Sequence, residues 1–183
     1  MIETAFTFSR YFFALLFGTF IAARFVGLRY TKTTMRVLST FVIVIFSLQL
    51  SCLALFGLVQ TTKLYPLIAH LPTVILLVIY FKKSWLPSWA SVAVAFLCCQ
   101  PLRWVGTLFG ELFESVTMNH IGYILTAAIL YIIIEKYAQQ PIYEMMHRSV
   151  QSCLLLSAMP TFYYFFDYAT IVYTDFMYSG ERV

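Results

Sequence analysis

Long apolar runs separated by short polar connections set the rhythm of this chain. Six such runs occupy about residues 7–25, 37–59, 64–81, 89–109, 120–136 and 150–172. Each approaches the roughly 20 residues that a helix needs to cross a bilayer at about 1.5 Å rise per residue. The connections are too short to hold a folded extramembrane domain. The pattern predicts an all-α polytopic membrane helix bundle with six transmembrane helices, a single domain over residues 1–183. Glu3 precedes the first run, with no basic leader and no small-residue cleavage site, so that run reads as a retained helix.

Composition narrows the class further. The AVILMFWYC set makes up 61% of the chain, aromatics 19% and charged residues 11%, with a mean hydropathy of +0.82. Soluble domains carry about 25% charged residues, so this chain cannot coat a water-facing surface in the usual way. Disorder is excluded by the same numbers. Four cysteines, two of them adjacent, do not make a disulfide scaffold. The net charge of +4 comes without any basic run interleaved with aromatics, which argues against nucleic acid as a partner.

Charge instead orients the bundle. The first, third and fifth connections hold Arg24, Arg29, Lys32, Arg36, Lys82, Lys83, Lys136 and Arg148. The other side holds Lys63 and, in the C-terminal tail, Arg182. Short loops rich in Lys and Arg stay in the cytoplasm. The expectation is therefore that both termini are extracytoplasmic, in a bacterial cytoplasmic membrane. Trp85 and Trp89 at the inner level, with Tyr65 and Trp104 near the outer one, fit aromatic interface belts.

Polar residues inside apolar runs are costly in hydrocarbon and mark function more often than not. Arg103 lies near the outer end of the fourth run, two residues after Pro101, which removes a helical donor and predicts a kink. His70 sits between Pro66 and Pro72 near the outer end of the third run. Asp167 lies in the aromatic stretch Phe162-Tyr163-Tyr164-Phe165-Phe166-Asp167-Tyr168, and Arg10 is close to the outer end of the first run. Antiparallel helices thus bring these groups to one depth. One reading is an outward-facing pocket with His70, Gln100, Arg103, Tyr164 and Asp167 as ligand contacts and an Arg103–Asp167 ion pair that a ligand bridges. The other is that Arg10 and Arg103 snorkel to the headgroups, Asp167 is merely wet and His70 packs.

Ala14, Gly18 and Ala22 form a small-residue face on the first helix, suited to close helix packing. Cys98 and Cys99 lack metal-ligand spacing and read, with Cys52 and Cys153, as core residues. No phosphate loop, paired carboxylates or Ser-His-Asp set occurs, so no catalysis, cofactor or metal is expected in these residues.

Short motifs in the second half of the chain carry a resemblance. Tyr65-Pro66-Leu67, His70-Leu71-Pro72, Phe81-Lys82-Lys83 with Trp85, and Cys99-Gln100-Pro101 with Arg103-Trp104 lie in its first part. Phe166-Asp167-Tyr168-Ala169-Thr170, Val172-Tyr173-Thr174 and Tyr178-Ser179-Gly180 follow. Together they resemble the membrane sensor region of Gram-positive histidine kinases with a GHKL-type ATPase domain. The resemblance covers about residues 60–180. It implies a module of two-component signalling that senses an extracytoplasmic signal such as a peptide or small ligand, as a homodimer in the bilayer. The sequence departs from that family in ending at Gly180-Glu181-Arg182-Val183 without a phosphoacceptor helix or ATP-binding domain. A rival expectation is the substrate-binding membrane subunit of a vitamin-type transporter, with the Ala14-Gly18-Ala22 face docking a transport partner. A purely structural membrane partner is the third.

The charge asymmetry makes the orientation testable in a variant lacking the native cysteines. Cysteine placed at Lys63 is expected to react with an impermeant maleimide in intact cells, and cysteine placed at Lys82 only after lysis. The reverse pattern overturns the orientation.

Overall fold

The computed structural model describes residues 2–173, which are mostly helical, with no strand among them. Arg182 and the Tyr178-Ser179-Gly180 motif lie outside the described residues. The helices are α1 (Ile2–Phe25), α2 (Lys32–Tyr65), α3 (Leu71–Ile75), α4 (Trp85–Leu97), α5 (Gln100–Leu112), α6 (Val116–Ile133), α7 (Gln139–Arg148) and α8 (Val150–Tyr173). Single π turns at Pro66–His70, Leu76–Tyr80 and Ile134–Ala138 join some of them end to end. Among the described residues, five stretches are long and apolar enough to cross a membrane: Phe8–Phe25, Lys32–Gly57, Gln60–Tyr80, Trp85–Leu112 and Val116–Arg148. With 24 residues, α8 reaches roughly 36 Å at helical rise, completing the bundle.

Local chemistry explains most boundaries. The Thr31 hydroxyl accepts from the Thr34 N–H at 3.1 Å and starts α2. Ser115 caps α6 in the same way, and the Ser149 hydroxyl accepts from the Ser152 N–H at 3.0 Å to start α8. Two connections differ from the expected loops. The second is nearly absent: α2 breaks at Gly57, whose φ of 76° and ψ of 175° only glycine adopts cheaply, and helix resumes at once. The Gly57 carbonyl is met by the Thr61 hydroxyl at 2.8 Å. The fifth connection is helical too, because α7 continues past the π turn and packs against α8 and α1.

Prolines shape the third and fourth spans. Pro66 begins one π turn and Pro72 follows it, each unable to donate to the preceding turn. The fourth span breaks at Cys98 and Cys99, directly before Pro101 at the start of α5, as a helix deprived of that donor must.

The core lies between α1 and α4. Leu15, Ile21, Ala22, Ala23 and Phe25 of α1 and Ala90, Val92, Ala95 and Phe96 of α4 are buried. A Cβ at Gly18 would come within 2.8 Å of the Phe96 ring, so the two helices meet at glycine distance. Around this pair, α2 and α8 expose Ile43, Val44, Leu55, Leu155, Phe162 and Phe165, a surface suited to hydrocarbon rather than water. Of the tryptophans expected at interfaces, Trp85 and Trp104 are exposed, whereas Trp89 turns inward and donates to the Thr161 hydroxyl at 3.3 Å.

At the basic end Arg24 ties the bundle together. Its Nη2 lies 2.5 Å from Glu135 Oε1 and its Nε donates to Oε2 at 3.1 Å. Nη1 donates to the Leu28 carbonyl, and the Gln139 amide donates back to the Arg24 carbonyl at 3.3 Å. The Tyr30 ring stacks 4.9 Å from the guanidinium.

Just beyond this tie, Gly27 has φ of 79° and its missing Cβ would collide with the Tyr143 ring of α7. Gly27→Ala combines a left-handed backbone, costing about 1–2 kcal/mol, with that collision. The expected outcome is a loss of at least roughly 2 kcal/mol in a denaturation series of the purified protein. A variant as stable as the parent contradicts this packing.

Candidate functional site

A cavity of about 300 Å³ opens at the end of the bundle opposite the basic tie. Its walls come from the first half of α1 (Arg10, Tyr11, Ala14) and the far end of α2 with the π turn after it (Thr62, Tyr65, Pro66, His70). The kinked fourth span supplies Phe96, Cys99, Gln100 and Arg103, α6 supplies Tyr123, and α8 supplies Tyr164 and Asp167. Two of the backbone irregularities, the Pro66–His70 π turn and the Cys98–Cys99 break, lie on its wall. Departure from α geometry splays the helices here and leaves the space.

All five candidate ligand contacts, His70, Gln100, Arg103, Tyr164 and Asp167, line this one space. Gln100 is buried; Arg103 is exposed and so sits at the rim. The His70 ring is packed among aromatics, 4.2 Å from Phe96, 5.0 Å from Tyr164 and 5.5 Å from Tyr65. Thus His70 both packs and faces the cavity. Arg24 and Glu135 form an ion pair at the other end. Arg103 and Asp167 share the cavity wall.

The small-residue face is used inside the bundle. Ala14 lines the cavity, Gly18 abuts Phe96 and Ala22 is fully buried. The four cysteines are free thiols, and Cys99 lies between the Ala14 and Ala95 carbonyls at 3.8 Å. Among the described residues no cluster of three His, Cys, Asp or Glu side chains forms a metal site.

Several wall residues escaped the sequence reading. Arg10 reads as a snorkelling group yet lines the cavity, with its Nε buried and without a hydrogen-bond partner. Tyr65 reads as an interface residue yet its ring packs beside Tyr11, centroids 5.7 Å apart. Its hydroxyl is also buried without a partner. Tyr11 and Thr62 hydroxyls share a hydrogen bond of 2.8 Å. Tyr65 immediately before Pro66 was a usable signal, because Pro66 opens a π turn and so marks where packing departs from a regular α-helix. Tyr123 gave none, since nothing local separates it from other apolar positions of its run.

The two buried tyrosines call for opposite outcomes. Tyr65→Phe removes a hydroxyl with no partner and is expected to leave the ligand-free protein as stable as before, or more so. Tyr11→Phe breaks the bond to Thr62 and is expected to cost about 1 kcal/mol. Thermal unfolding in one detergent compares them; a larger loss for Tyr65→Phe contradicts the assignment.

No protein-family model, curated protein or solved structure matches this sequence, so a functional reading rests on this geometry and on the motifs that border it.

Proposed function

We propose that the chain is the ligand-sensing membrane module of a two-component histidine kinase system, with the cavity as its receptor site. The observation that carries the reading is convergence: polar groups on five separate helices, each unfavourable in hydrocarbon alone, meet in one cavity. The basic asymmetry supports placing the cavity end outside the cell and the Arg24 tie inside. On that orientation both termini are extracytoplasmic, and a signal reaches the cavity without crossing the membrane. The bordering motifs, from Tyr65-Pro66 to Phe166-Asp167, are those that resemble the kinase sensors.

A ligand here acts on backbone that is already irregular. Filling the space presses on the Pro66–His70 turn and on the break before Pro101, where bending costs less than in a regular helix. From there α4 carries the movement toward the basic end and a partner kinase. A volume of about 300 Å³ stands at the lower edge of ligand pockets. It suits a small molecule or one residue of a peptide, not a peptide along its length. The transporter reading loses its docking surface, because the Ala14-Gly18-Ala22 face is occupied within the bundle itself.

The test is signal-dependent phosphorylation of response regulators in cells expressing the chain at its native level. Arg103→Ala is expected to reduce it about tenfold or more at unchanged membrane abundance, and adding Asp167→Ala to restore part of the response. Identical phosphorylation in the parent, Arg103→Ala and deletion strains overturns the sensor reading. Loss of vitamin uptake on deletion would favour the transporter.

A further inference from the structure

We propose that the cavity recognises an oxyanion, a carboxylate or phosphate on an apolar body, held between the guanidinium groups of Arg10 and Arg103 with the Tyr65 hydroxyl as a further donor. This rests on the reading of the cavity as a ligand site and adds the chemistry of the ligand.

The polar inventory of the wall carries the inference. Among the described residues its charged groups are Arg10, Arg103 and Asp167, so positive charge exceeds negative there. Arg10 and Arg103 line the same cavity, and a bound anion offsets the repulsion between their like charges. A guanidinium has only N–H donors and no acceptor, so the buried, unpartnered Arg10 Nε calls for an acceptor. The buried Tyr65 hydroxyl is the second group left without a partner on the same wall. Native proteins pair buried polar atoms nearly always, and both orphans belong to residues of one wall, where a group with several lone pairs drawn in between them supplies the acceptors. A carboxylate or phosphate has them and matches guanidinium geometry. The rest of the ligand meets Tyr11, Ala14, Phe96 and Tyr164, an apolar and aromatic lining. Asp167 on the same wall disfavours a second anionic group.

The same oxyanion is available from a soluble signal or from an anionic lipid headgroup, and the two sources separate experimentally. The full chain is placed in phosphatidylcholine nanodiscs and titrated with phenylbutyrate, phenyl phosphate and the uncharged phenylbutyramide. At least one anion is expected to bind about tenfold or more tightly than the amide, and more weakly as salt rises. Arg10→Gln and Arg103→Gln are each expected to weaken that anion about tenfold, whereas Arg10→Lys and Arg103→Lys, which keep the charge and lose the guanidinium fork, weaken it only several-fold. Tyr65→Phe should weaken it several-fold without loss of stability. The Lys variants and the salt series keep the comparison meaningful if a Gln variant fails to fold. In a second arm the discs contain phosphatidylglycerol, and native mass spectrometry measures the lipid retained. Retention that disappears in Arg10→Gln assigns the oxyanion to lipid and supports the proposal. Equal binding of anions and amide overturns it while leaving the cavity a ligand site. Absence of Arg-dependent binding in both arms also overturns it, and regulator phosphorylation then judges the sensor reading separately.

Discussion

In a membrane-spanning helix every backbone donor and acceptor must find a partner inside the protein, and proline removes a donor wherever it stands. That constraint organises this molecule. Pro66 and Pro72 bracket a π turn, and Pro101 follows a break at Cys98 and Cys99. These two proline-bordered irregularities fall at one end of the bundle, on two neighbouring spans, whereas the π turns at Leu76–Tyr80 and Ile134–Ala138 lie elsewhere. The helices cannot pack as regular cylinders there, and the cavity of about 300 Å³ occupies what they leave.

The core beside the cavity and the opposite end are held by different physics. Gly18 lets α1 approach α4 until the Phe96 ring fills the glycine's place. Below that contact Arg24, Glu135, Gln139 and Tyr30 satisfy one another at the margin of the apolar region. An ion pair that is partly exposed contributes little by itself. Here it is part of a network that also takes up the carbonyls left open at the end of α1. The bundle is tight and fastened at its basic end, and splayed and polar at the other.

That polarity gradient bears on the proposed sensing role. A ligand that fills the open end works against backbone already short of hydrogen bonds, while the fastened end gives the movement a fixed reference. α1 and α4 run between the two, in contact along the buried face that holds Leu15, Gly18 and Ala22. A change in their packing at Phe96 therefore reaches both ends. The same ring touches His70, so the cavity wall and the core share one aromatic cluster.

Helical character and long apolar spans were legible in the sequence, because hydrophobic length alone specifies them. The kink before Pro101 was legible for the same local reason, and the common depth of His70, Arg103 and Asp167 followed from counting residues along antiparallel helices. The missing loop at Gly57 was not, because a single left-handed glycine turns the chain only where neighbours hold it. Nor was the helical continuation through Glu135 to Arg148, which depends on α7 packing against α8 and α1. Pairing was the least legible property. Arg24 finds Glu135, and Tyr11 finds Thr62, across separations that no periodicity encodes. Arg10 reads as a headgroup anchor until the fold turns it toward the cavity, and Tyr65 as an interface ring until the Pro66 turn buries its hydroxyl. Sequence determined which long apolar segments are helical and where proline bends them, since those are local hydrogen-bond and hydrophobic constraints. Only tertiary structure decided which polar groups would be satisfied and which would be left buried without a partner.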